Sequence, residues 1–200
     1  MTIGAVSGCS AGGVAVYLRF LMSPSDLVSS ASRLCTACGL CCNGVLFEIV
    51  RLQPSDSVEE LVSLGMEIGR KKRGPYFKQP CSFLASCRCL IYDARPLRCR
   101  DFRCAQIEEV ATETRTEEEA LRTIVEAKRR VEEVEELLEE AGNKATGLPL
   151  AERYGLAVAS VDPVAIRGQR APLAPLVLAM DRLQEWINEF FRVDPPRPPV

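Results

Sequence analysis

The sequence predicts a mainly α protein with short irregular β elements, in which a small cysteine-rich module packs with a C-terminal helical pair. Nine of the ten cysteines fall within residues 35–104. Two apolar series in the C-terminal half advance by threes and fours, the spacing of one helical face. In the cysteine-rich part the apolar runs are short and broken by Gly and Pro, which leaves room for brief strands, turns and a short helix. With 200 residues, 47% of them apolar and 26% charged, the composition is that of an ordinary globular chain with a real core.

Residues 1–33 read as a weakly specified lead-in. Ser25 or Asp26 is placed to cap a short helix running toward Leu34. Gly4, Gly8, Gly12 and Gly13 interrupt the apolar run over residues 3–18, and no basic stretch precedes it, so neither a secretory signal nor a membrane span is expected. Val6-Ser7-Gly8-Cys9 has the look of a lipoprotein cleavage box, but too few residues precede Cys9 to form a signal. The chain is therefore expected to be cytoplasmic, where thiols stay reduced and crowded cysteines serve metal or redox chemistry.

Residues 34–110 form the expected cysteine-cluster module. Val45–Leu52 is a plausible strand ending at Pro54, and Ser55–Gly65 a short helix with Val58, Leu61, Val62 and Leu64 turned inward. Residues 66–80 are basic and loop-like, broken at Gly69, Gly74, Pro75 and Pro80. Residues 111–192 are expected to be helical. Ala120, Ile124, Ala127, Val131, Val134, Leu138 and Ala141 make an unbroken heptad seam that Gly142-Asn143 stops. A short helix near Leu150–Tyr154 lies in the following loop, and a second seam runs through Leu173, Leu176, Met180, Leu183, Ile187 and Phe190. The tail, 193–200, is proline-rich and is expected to be disordered.

The net charge of −2 gives no global attraction to nucleic acid or membrane, and neither is expected as a partner. Locally the charge is uneven. Residues 70–104 carry ten Lys/Arg against two Asp, and residues 113–140 carry eleven Glu against five Lys/Arg.

The cysteines carry the chemistry. In Cys35-x2-Cys38-x2-Cys41 three thiolates can converge on one centre, with Gly39 allowing a tight turn. This spacing supplies three ligands to a [4Fe–4S] cluster in bacterial ferredoxins, whose C-x3-C-P continuation is absent here. A C-x2-C pair also suits zinc, as does Cys99-x4-Cys104, and with no histidine such a site would be all-cysteine. Neighbouring side chains diverge, so Cys41 and Cys42 would not easily ligate one ion together; Cys42 either serves a second centre or is a spare thiol. Cys87 could be a ligand or a bystander, and Cys9 reads as a small buried hydrophobe. Arg88, Arg95, Arg98, Arg100 and Arg103 lie among these cysteines and could offset thiolate charge.

Further motifs extend the pattern: Pro80-Cys81-Ser82-Phe83-Leu84, Cys89-Leu90-Ile91-Tyr92, and Arg95-Pro96-x2-Cys99-Arg100-x-Phe102. Together with the cysteine run they resemble the YkgJ-type cysteine-cluster family, the zinc- or iron-chelating CxxCxxCC domain also found in flagellin lysine N-methylase-like proteins. The resemblance covers residues 35–104. It implies metal chelation by Cys35, Cys38, Cys41, Cys42, Cys81, Cys89 and Cys99, with Cys104 as an eighth ligand. A [4Fe–4S] cluster is the favoured cofactor, zinc the alternative, in a structural or redox role. Two other functions compete. One is a protein-lysine N-methyltransferase-like enzyme, which lacks support from any Gly-rich nucleotide motif or radical S-adenosylmethionine C-x3-C-x2-C spacing. The other is a metal-stabilised scaffold that binds a protein partner through the helical region.

Overall fold

The computed structural model describes residues 30–159 and 173–192. The expectations for Cys9, for a cap at Ser25 or Asp26 and for the proline-rich tail lie outside these residues. About half of the described residues are helical. In chain order the elements are α1 (Ser30–Cys38), β1 (Ile49–Arg51), α2 (Val58–Ser63), β2 (Gly69–Lys71), β3 (Gly74–Lys78), β4 (Leu84–Ala85), β5 (Arg88–Cys89), α3 (Leu97–Asp101), α4 (Ala105–Ala111), α5 (Glu117–Glu140), α6 (Leu150–Val158) and α7 (Ala174–Phe190).

The long helix α5 starts where its chemistry says it should. The Thr116 side chain accepts from the Glu119 N–H while the Glu119 carboxylate reaches back to the Thr116 N–H, a complete capping box. Glu117, Glu118 and Glu119 place negative charge on the positive end of the helix dipole. Of its seam residues, Ala120, Ile124, Ala127, Val131, Val134 and Leu138 are buried, whereas Ala141 is the C-cap residue and is exposed, because the helix ends before it. The buried residues meet Leu176, Ala179, Leu183 and Ile187 of α7, so the two expected helices pack on each other. Across the rim of this pair Arg182 bonds Glu133 at 2.9 Å and the Arg130 guanidinium lies 4.5 Å from the Trp186 ring centre. Helices α1 and α4 pack against α5 as well, and Leu34, Leu40 and Ile107 join its core. Arg33 fastens α1 to the start of α5 through a fork onto the Glu117 carboxylate, at 2.7 and 2.6 Å.

A second, smaller core of Leu52, Leu61, Met66 and Phe77 lies under an antiparallel sheet of order β1-β3-β2. Val50 pairs with Phe77 and Arg70 with Pro75. Ser57 caps α2 by accepting from the Glu60 N–H, and Leu61 is the residue this helix buries. Two local expectations change. Residues 66–80 form the β2–β3 hairpin rather than a loop: Gly69 stands opposite Tyr76, where an added Cβ would lie 2.7 Å from the ring, and Gly74 makes the turn with φ +103°. The glycines that look like breakers thus make the pairing feasible. In α2, Val62 and Leu64 do not turn inward but are 52% and 46% exposed, because six residues present only one apolar face. Regular pairing in the first strand shrinks from Val45–Leu52 to Ile49–Arg51.

Among the described residues no helix is long and apolar enough to cross a membrane.

The α5–α7 seam is expected to dominate stability. Leu138→Ala should cost about 2–5 kcal/mol in urea unfolding, and Val125→Ala, on the exposed face of α5, less than about 0.5 kcal/mol. Equal costs would contradict this packing.

Candidate metal centre

Cys35 and Cys38 stand one turn apart on the last turns of α1, on one face of the helix. Buried Leu34 and buried Leu40 pin the chain on either side of that turn. Gly39 ends the helix at φ +72°, a left-handed conformation that costs residues with a Cβ. Its N–H donates to the Cys35 carbonyl, and its own carbonyl accepts from the N–H groups of Cys42 and Asn43 at 2.9 and 3.0 Å. Cys41 and Cys42 therefore sit in a tight hydrogen-bonded turn immediately after α1.

The remaining cysteines are brought to this turn by four devices. The Cys81 N–H donates to the Cys42 carbonyl at 2.8 Å, tying the chain after β3 to the cysteine run. Cys89 pairs with Leu84 in the β4–β5 hairpin, whose turn residues Ser86 and Cys87 both have positive φ, as a type I′ turn requires. Cys99 lies on α3, and Asp56 holds that helix by accepting from the Leu97 N–H at 2.8 Å while also accepting from Gln53. Cys104 is the N-cap residue of α4.

All eight cysteines expected as ligands line one cavity of about 680 Å³, and all eight are free. Cys87 also lines it but is disulfide-bonded, so it has no thiolate to offer. The other walls include Leu34, Leu40 and Ile107 from one core and Phe77 from the other, with Phe47 beside them. Among the described residues, no three Cys, Asp or Glu side chains are drawn tightly enough together to hold a single ion; the thiols instead share the cavity wall.

Burial governs the thiols. It pushes Cys38, Cys42 and Cys99 up to about 12, and Cys41 well above the usual thiol range. Cys35, Cys81 and Cys104 are raised for the same reason. Opposing it, backbone N–H groups face three sulfurs: Leu40 faces Cys38, Phe83 faces Cys81, and Ile107, then Gln106, face Cys104. Such donors favour the thiolate, the form that binds metal. Arg95 favours it at both Cys35 and Cys99, and Lys128 at Cys38.

The arginines sort differently from the sequence expectation. Arg95 and Arg98 line the cavity, whereas Arg103 pairs with Glu108 at 2.7 Å and Arg88 and Arg100 are exposed. Arg51, which the sequence does not single out, lines it too, and its buried Nη1 has no hydrogen-bond partner among the described residues. An unsatisfied donor at a thiol-lined wall suits an anionic all-thiolate centre. Only its position at the end of β1, opposite Tyr76, puts it there. Arg95 is held in place from two sides: its Nε donates to the Tyr92 carbonyl at 2.8 Å and its guanidinium stacks 3.6 Å from the Tyr92 ring centre. The Tyr92 hydroxyl in turn meets Ser32 of α1 at 2.5 Å.

Residues 34–129 match the CxxCxxCC family model, described as a "Putative zinc- or iron-chelating domain". No curated protein and no solved structure matches the chain.

Gly39→Ala is expected to cost about 1–2 kcal/mol because the turn requires its positive φ. Gly147→Ala, where an added Cβ meets nothing within 4 Å, should be near neutral. Thermal unfolding of the two variants checks the contrast, and similar shifts would contradict it.

Proposed function

We propose that the chain is a metal-binding protein whose cavity carries an all-cysteine centre held by Cys35, Cys38, Cys41, Cys42, Cys81, Cys89, Cys99 and Cys104, as iron–sulfur in preference to zinc. The observation that carries this reading is the convergence of eight free thiols, from separate stretches of chain, on one cavity between two cores. Core packing alone gives no reason to gather them there. The family's chelating description points the same way.

Iron–sulfur is preferred on two grounds. Cys35-x2-Cys38-x2-Cys41 has the spacing that supplies three ligands to a [4Fe–4S] cluster. A single zinc ion, with Zn–S near 2.3 Å, needs its four sulfurs within about 4 Å of one another, and among the described residues no three Cys, Asp or Glu side chains form a group that could hold one ion. When bound, the centre supplies several metal–thiolate bonds that join the strand-bearing half to the helical half. The chain's own residues hold and shield it. The N–H groups of Leu40, Phe83, Ile107 and Gln106 and the guanidinium groups of Arg95 and Arg51 offset the thiolate charge, and Phe47, Phe102 and Ile107 keep water from the wall. The centre's role is structural, with electron transfer open to it if the metal is iron.

Anaerobic purification followed by metal and sulfide analysis tests the reading. Iron with acid-labile sulfide and a brown visible absorption is the expected result. Colourless protein with stoichiometric zinc would overturn the choice of metal, and protein with neither would overturn the function. Arg95→Gln should release metal to a chelator about ten times more readily than wild type. Lys72→Gln, on the exposed hairpin, should not; equal release from both would remove Arg95 from the site.

A further inference from the structure

Cys41 and Cys42 are adjacent in sequence but keep different company. Cys41 follows α1, which carries Cys35 and Cys38 and packs directly on α4, the helix that Cys104 caps. Cys38 and Cys104 belong to the helical core. Cys42 is hydrogen-bonded through its carbonyl to the Cys81 N–H, at 2.8 Å. The β4–β5 hairpin bearing Cys89 begins three residues after Cys81, with the Leu84 N–H bonded to the Cys81 carbonyl at 3.0 Å. Cys81 and Cys99 pack against the second core, not the first. Cys38 and Cys104 thus go with one core and Cys81 and Cys99 with the other; Cys35 shares α1 with Cys38, Cys42 is tied to Cys81, and the peptide bond between Cys41 and Cys42 is the dividing line.

Electrostatic neighbourhoods divide the same way. After burial, the strongest thiol neighbours of Cys42 are Cys81, Cys99 and Cys89. Cys38 feels Cys104 and Cys35, and Cys35 feels Cys104. Electrostatic influence also crosses the line: after Cys38, Cys41 feels Cys42 ahead of Cys104 and Cys35, and Cys42 feels Cys35 after Cys81, Cys99 and Cys89, as expected of two groups lying side by side in one cavity. Consecutive side chains point apart, so one residue can deliver its sulfur to each group where neither could share a single centre.

We infer that the cavity holds two separate four-thiolate metal centres, one on Cys35, Cys38, Cys41 and Cys104 and the other on Cys42, Cys81, Cys89 and Cys99. This rests on the proposal that the cavity is a metal site, and it assigns the number and composition of the centres. Each set supplies the four thiolates that one [4Fe–4S] cluster takes. Arg95, which acts on Cys35 of the first set and Cys99 of the second, is a shared cation between two anionic centres.

The test counts centres in the full-length chain, purified anaerobically, by iron, sulfide and zinc per chain. Wild type is expected to hold two centres. Cys99→Ser and Cys89→Ser are each expected to keep about half of the wild-type metal, and so is Cys104→Ser. Cys99→Ser combined with Cys104→Ser should keep none. Circular dichroism identifies any variant that fails to fold, and the wild-type count does not depend on variants. A wild type with one centre per chain would overturn the inference. So would a folded Cys99→Ser protein that is metal-free or retains the full wild-type content. A metal-free wild type would instead overturn the metal reading itself.

Discussion

Eight thiols crowd one largely apolar cavity, and their electrostatics constrain everything around them. Uncoordinated, Cys38, Cys41, Cys42 and Cys99 favour the protonated form, because burial first and neighbouring sulfurs second oppose the thiolate. Once coordinated, they exchange those protons for metal bonds, and the same crowding becomes an asset. The surrounding architecture reads as preparation for that exchange. The αL turn at Gly39, the backbone tie from Cys81 to Cys42, the β4–β5 hairpin and the Asp56 hold on α3 each deliver sulfur to the cavity, and none buries much apolar surface itself.

The two cores contribute unequally. The α5–α7 pair with α1 and α4 is a conventional helical core whose stability comes from the heptad seam. The core of Leu52, Leu61, Met66 and Phe77 is small, its sheet has strands of three to five residues, and Met66 and Phe77 share the walls of the cysteine cavity with residues of the helical core. A module this slight gains most from a cross-link that hydrophobic burial does not supply. Tyr92, bonded to Ser32 and stacked on Arg95, is a non-metal tie across the same gap.

Legibility in the sequence tracked the strength of the local signal. The seam from Ala120 to Leu138 is regular over several turns, and the residues it marks are the buried ones. The cysteines expected as ligands could be named from their motifs, and all line the cavity, since thiols at such spacing have few other uses. Short elements were harder. Gly69 and Gly74 read as breakers, although one makes room for Tyr76 and the other makes the hairpin turn. α1 runs on through Cys35 to Cys38, beyond the expected end near Leu34. Arg51 could not be found at all, because its place at the cavity depends on pairing with a strand whose register the sequence does not show. The arginines between the cysteines were over-counted for the same reason: proximity in sequence put Arg88, Arg100 and Arg103 near the site, but the fold turns them to solvent.

The central claim is that a metal centre joins the strand-bearing half to the helical half. Native-state hydrogen exchange on the anaerobically purified chain, before and after removal of metal by a chelator, addresses it most directly. The account predicts that amides of β3 and α3 lose protection when the metal is removed, while those in the middle of α5 and α7 keep theirs. Unchanged protection throughout the chain after complete metal removal would contradict it.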